Sequence, residues 1–87
     1  MPRISEFFGI AIYIYYHDAQ RHHGPHIHAR YSEHKASFSI ATGEPLGGQL
    51  PPRQERLVRR WIEKRRAELE ANWQRALRDE ELNWIEP

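Results

Sequence analysis

The chain has 87 residues, a formal net charge of +1 and no cysteine. That length makes one domain, which buries roughly 60–65% of its surface and so has a modest core. The near-zero charge excludes a global pull toward nucleic acid, and the missing thiols exclude a disulfide framework and a thiolate metal site. No apolar run approaches the ~20 residues of a membrane span. The opening Met1-Pro2-Arg3-Ile4-Ser5 lacks the basic-then-apolar design of a signal peptide, so we expect a cytoplasmic protein.

Within Phe7 to His17, Ile10, Ile12, Ile14 and Tyr16 alternate with Ala11, Tyr13, Tyr15 and His17. That β-branched and aromatic alternation predicts a strand. Both of its faces are fairly apolar, so it is either central in a sheet or offers Tyr13 and Tyr15 as a contact surface. Asp18 to Pro25 reads as a polar loop with a Gly24-Pro25 turn. His26 to Tyr31 alternates again, sending Ile27, Ala29 and Tyr31 one way and His26, His28 and Arg30 the other. Ser32-Glu33-His34 reads as a hairpin turn. Lys35 to Ile40 follows as a strand with Ala36, Phe38 and Ile40 inward and Ser37 and Ser39 outward. After a turn at Thr42-Gly43-Glu44-Pro45, residues Pro45 to Leu50 suit a short edge strand, where proline and a Gly47-Gly48 pair are tolerated.

Residues 51–78 form the clearest element. Pro51-Pro52 suits a helix start, because the first turn needs no backbone donor. At 100° per residue, Val58, Trp61, Ile62, Leu69, Trp73 and Ala76 share one arc, flanked by Leu57 and Leu77. Such a helix would span roughly 40 Å, far beyond the ~12–13 Å radius of gyration of a chain this size. It must bend or break, or pack its far end on another chain, for instance in a homodimer. Arg65 and Asn72 are polar residues on the core arc. The plain reading is that the Arg65 stem lies along the core edge while Asn72 bonds a loop carbonyl; the sharper one has both reaching a polar site on the sheet. The tail, 79–87, carries four acids and no base, and Leu82, Trp84 and Ile85 are placed to dock it. The expectation is thus a single α+β domain over 1–87. An antiparallel sheet of three to four strands (1–50) is followed by one long amphipathic helix (51–78) packed on one face, then the acidic tail.

Three stretches carry a family resemblance: Met1 to Ile10; Pro25-His26-Ile27-His28-Ala29-Arg30-Tyr31; and Trp61 to Trp73 with Arg65, Glu68, Leu69 and Asn72 between. Together they resemble a family of small bacterial proteins known as domain of unknown function 4160, most distinctively in the Pro-His-x-His-Ala stretch. The resemblance implies that His26 and His28 belong to a family pattern. It also implies a two-gene regulatory or toxin–antitoxin-like arrangement, but no agreed activity. Position 65, often histidine in similar sequences, is Arg65 here. Arginine serves neither as metal ligand nor as base near neutral pH, so a scheme needing three histidines does not transfer.

His26 and His28 stand at i, i+2 on a strand, which projects both rings from one face. That supplies two imidazoles to a divalent ion such as Zn²⁺, Ni²⁺, Cu²⁺ or Fe²⁺. His17, Asp18, His22 and His23 are the candidates for a third and fourth ligand. The same pair, with Arg30 to hold a phosphate and Tyr13, Tyr15 or Tyr31 to stack a base, also suits metal-free phosphodiester cleavage of an RNase type. The plainer alternative is that the histidines bond tyrosine hydroxyls or carbonyls.

Residues 53–66 hold seven Arg/Lys against two Glu. Arg53, Arg56, Arg60 and Lys64 repeat at three- and four-residue steps, opposite the apolar arc. Such a stripe is either an ordinary solvated face, or a surface for phosphates or an acidic protein partner. No base-reading motif accompanies it. The reading favoured is a non-catalytic binding or regulatory module, without membrane contact, working through the basic helix and a partner. The alternative is a histidine-centred enzyme, either a metal-dependent hydrolase or an RNase-type phosphodiesterase.

Overall fold

A hairpin that the sequence pattern hides begins the sheet. In the computed structural model, which describes residues 2–19 and 24–87, β1 (Arg3–Phe7) pairs antiparallel with β2 (Ile10–Tyr13). Between them Phe8 and Gly9 have φ of 49° and 76°, the signs of a type I′ turn, whose twist suits a two-residue hairpin. The sheet therefore has five strands, not three to four. β1 escapes a reading by periodicity because a bulge between Arg3 and Ser5 breaks its alternation. The bulge buries the consecutive residues Ile4 and Ser5. The Phe-Gly turn also lacks the Asn-Gly or Asp-Gly signal of such hairpins. The expected strand to His17 is correspondingly shorter, since Tyr16–Ala19 forms a single helical turn, α1.

β3 (His26–Tyr31), β4 (His34–Ser39) and β5 (Pro45–Gly48) complete a meander in the order β1-β2-β3-β4-β5. All neighbouring strands are antiparallel. Ile10, Ile12, Ile27, Ala29, Ala36 and Phe38 point to one face and are buried. Against them packs α2 (Pro52–Leu77) with Val58, Trp61, Ile62, Leu69, Trp73 and Ala76. β5 lies exposed at one edge, where its proline and glycines do least harm.

α2 bends. Arg65 leaves helical geometry at φ −112° and ψ 20°. A straight helix of 26 residues would be about 39 Å long, whereas the molecule measures 33 Å in its longest direction. The break lets both halves follow the twisted sheet. It falls where the Arg65 guanidinium is tied to the chain's last residues, donating to the carbonyl oxygens of Glu86 (3.1 Å) and Pro87 (3.2 Å).

Main-chain groups take most of the bonds that hold the tail among the described residues. Tyr16 donates to Glu80 O at 2.7 Å and the Trp61 indole to Glu86 O at 2.9 Å. Asn72 pairs with both backbone groups of Asn83. The Ile85 amide donates to Ile4 O at 2.7 Å, covering the outer edge of β1. Ile85 is buried and Leu82 half-buried, but Trp84 stays 52% exposed and does not dock. No helix among the described residues is long and apolar enough to cross a membrane.

Candidate functional site

Because α2 covers the inner face of the sheet, the polar side chains of the strands collect on the outer face. Register arranges them in rows. Tyr13, His28, Ser37 and Gly47 are successive partners across β2, β3, β4 and β5. Two residues further along, Ala11, Arg30 and Lys35 form the adjacent row. That step separates the rows by about 7 Å.

The first row is continued by rings. Tyr15 lies 4.6 Å from His28 and 5.9 Å from Tyr13, centroid to centroid, and His17 is 6.3 Å from Tyr15. His26 meets His28 edge-on at 5.2 Å and Trp73 at 5.2 Å. Its Nδ1 lies 2.8 Å from Gly24 O. A carbonyl only accepts, so Nδ1 carries the hydrogen and Nε2 is the acceptor nitrogen of the neutral ring. Tyr31, one of three tyrosines expected to stack a base, has inner-face parity instead and packs against the core.

The second row is cationic. Arg30 and Lys35 are exposed and directly opposite, an arrangement that like charges disfavour by roughly 0.2–1 kcal/mol. Neither forms an ion pair among the described residues. Together with Tyr15, His28, Ser37 and Gly47 they line a concavity of about 240 Å³ that, among the described residues, contains no acidic side chain. Its floor is open because β5 contributes glycines, for two different reasons. Gly48 has φ +70° and a Cβ there would come 2.2 Å from Lys35 O, so the strand pairing demands glycine. At Gly47 a Cβ would meet nothing closer than Ser37 Oγ at 3.5 Å, an ordinary contact. Backbone geometry does not require glycine at that position.

Of the sequence-predicted ligands, the structure brings His26 and His28 together and sets Arg30 on the same face. His22, His23 and the Asp18 side chain lie outside the described residues. Among the described residues no three His, Cys, Asp or Glu side chains are grouped to hold a metal ion. Zinc would need ligands beyond the imidazole pair.

The arginine stripe sits elsewhere. Arg53, Arg56, Arg60 and Lys64 are all exposed on the outer surface of α2, across the molecule from the outer sheet face. None forms an ion pair among the described residues; the neighbouring Arg59 reaches Glu55 at 3.8 Å. Between α2 and Thr42-Gly43 runs a groove of about 250 Å³, lined by Arg56, Arg59, Arg60 and Arg66 against Glu63. Arg66 is anchored there, donating to Ile40 O at 2.8 Å.

Arg65 and Asn72 reach the tail rather than the sheet. Arg65 also meets Glu68 at 3.2 Å. Asn72 is fully buried, and its Oδ1 also accepts from Arg75 at 3.1 Å. Lys35 and Gly47 complete the outer-face constellation, although single-strand alternation marks neither as a site residue. Their signal is cross-strand register, which appears only when β4 is aligned on β3 and β5.

No curated protein and no solved structure matches the chain. The family model described as "Domain of unknown function (DUF4160)" matches residues 9–74, which takes in β2 to β5, the outer-face rows and α2 through Gln74. The chain belongs to the domain of unknown function 4160 family.

Proposed function

We propose that the chain is a non-catalytic binding module with a regulatory role, engaging an acidic partner chain through the basic outer surface of α2, as one half of a toxin–antitoxin-like pair. One observation carries this reading. Four exposed cations, Arg53, Arg56, Arg60 and Lys64, follow one line of a well-packed helix with no ion pair among the described residues. Two of them, Arg56 and Arg60, line a groove of about 250 Å³ together with Arg59 and Arg66. A surface of one sign steers and orients an oppositely charged partner. Replacing the four with glutamate should abolish binding to the chain encoded beside it, measured by titration calorimetry, while His26→Ala leaves binding intact. Unchanged affinity in the glutamate variant would refute the reading.

A second reading, a histidine-centred hydrolase or phosphodiesterase, draws on the imidazole pair. His26 is held in one tautomer by Gly24 O, 5.2 Å from His28, with Arg30 on the same face. It predicts either near-stoichiometric Zn, Ni, Cu or Fe by elemental mass spectrometry, lost in His26→Ala/His28→Ala, or phosphodiester hydrolysis abolished by the same change. Neither signal in the wild type would remove it.

A further inference from the structure

The geometry points to a second binding surface, independent of α2: the outer face of the sheet takes single-stranded nucleic acid. The two rows divide the labour. Arg30 and Lys35, directly opposite on β3 and β4, hold their side chains about 5 Å apart at Cβ, close enough to grip one phosphate. Folding alone opposes that juxtaposition, and an anion between the two cations reverses its sign. About 7 Å away, the distance of two strand residues, the rings of Tyr13, Tyr15 and His28 form a contiguous group. A nucleotide spans such a gap with its base on the rings and its phosphate on the cations.

Three further features favour this ligand. Ser37, the partner of His28, adds a hydroxyl to the first row beside the edge strand. Gly47 leaves the floor of the concavity open although its own backbone does not require glycine. Among the described residues the lining contains no carboxylate to repel a phosphate. Aromatic stacking beside a positive track is the combination by which sequence-tolerant single-strand binders work. A duplex offers no exposed base faces to the rings.

The test is fluorescence anisotropy of labelled single strands of RNA and DNA, about 12 nucleotides long, within the usual range of site sizes. The wild type should bind them in preference to the matching duplex. Arg30→Gln/Lys35→Gln should weaken binding roughly tenfold or more and reduce the salt slope by about 0.7, the share of one single-strand phosphate contact. Tyr15→Leu should weaken binding about tenfold on a normal strand and change nothing on an abasic one. That difference separates a stacking role from a merely structural one. Gly47→Leu, filling the floor from an exposed edge strand, is the second blocking variant, and thermal melting establishes that each variant is folded. Replacing Arg53, Arg56, Arg60 and Lys64 with glutamine should leave most of the single-strand affinity in place, which keeps this result separate from the partner-binding test. The proposal is overturned if the wild type binds no single strand at low salt, prefers duplex, or is matched by folded Arg30→Gln/Lys35→Gln. It is overturned equally if the α2 variant alone loses binding.

Discussion

Removing the Asn72 amide tests whether the tail is part of the fold. Asn72 is fully buried at the second half of α2. Its Nδ2 donates to Asn83 O at 2.9 Å and its Oδ1 accepts from Asn83 N at 3.0 Å, a two-point clasp on the tail backbone. Asn72→Ala removes both tail bonds, together with the one Oδ1 accepts from Arg75, and leaves a small void. At about 1–1.5 kcal/mol for each lost tail bond, the lower part of the range because Asn83 is itself exposed, the variant should be roughly 2–3 kcal/mol less stable. For a domain this size that corresponds to a fall of roughly 10–20 °C in Tm, a substantial share of the 5–15 kcal/mol that ordinary domains possess. Urea denaturation followed by tryptophan fluorescence measures the loss. Hydrogen exchange at the Ile85 amide, bonded to Ile4 O at 2.7 Å, reports the tail directly and should become much faster. Asn72→Leu removes the hydrogen bonds without the void and should give a similar loss. A change below about 0.5 kcal/mol, the level of an ordinary surface substitution, with Ile85 still protected, would refute the claim that Asn72 clasps the tail.

The two glycines of β5 make a matched pair: Gly48→Ala should cost at least about 1–2 kcal/mol from its left-handed backbone alone and more from the clash with Lys35 O. Gly47→Ala should stay within about 0.5 kcal/mol; equal melting temperatures for the two variants would contradict the geometry. Phe8 holds φ 49° while 72% exposed, so Phe8→Asn, better suited to a type I′ turn, should raise stability by about 0.5–1 kcal/mol. A loss on urea denaturation would show that the Phe8 ring contributes packing that outweighs its strain. Affinity through α2 should fall steeply as salt rises, since exposed charges are screened over about 10 Å at 0.1 M; salt-independent binding would place the contact elsewhere.

Periodicity revealed most of the architecture. β3 carried its inward and outward sets on alternate residues: Ile27 and Ala29 are buried while His28 and Arg30 turn away, and His26 at the strand's start reaches the Trp73 ring of α2. α2 was legible in its apolar arc and Pro-Pro start, and its length alone required a bend or a partner; the kink at Arg65 supplies the bend. β1 was not legible. A bulge places Ser5 in the core beside Ile4 and cancels the period of two, and a phenylalanine occupies a turn position normally marked by asparagine or glycine. For the outer face the sequence revealed the histidine pair, Arg30, Tyr13, Tyr15 and Ser37, but not Lys35 or Gly47. Lys35 and Gly47 become neighbours of that group through hydrogen-bonded register, which joins residues from different strands.

What the sequence determined by itself was therefore local: which residues are apolar, at what period they recur, and where proline and glycine interrupt them. Those properties act over one turn or one strand and suffice for the helix, three inner strands and the shared face of His28 and Arg30. Only the tertiary structure decided which strands lie side by side, how Arg30 comes to face Lys35, and that Arg65 and Asn72 serve the tail. Each depends on pairing between residues far apart in the chain, where the hydrogen-bonding needs of the backbone select the partner and side-chain pattern alone does not.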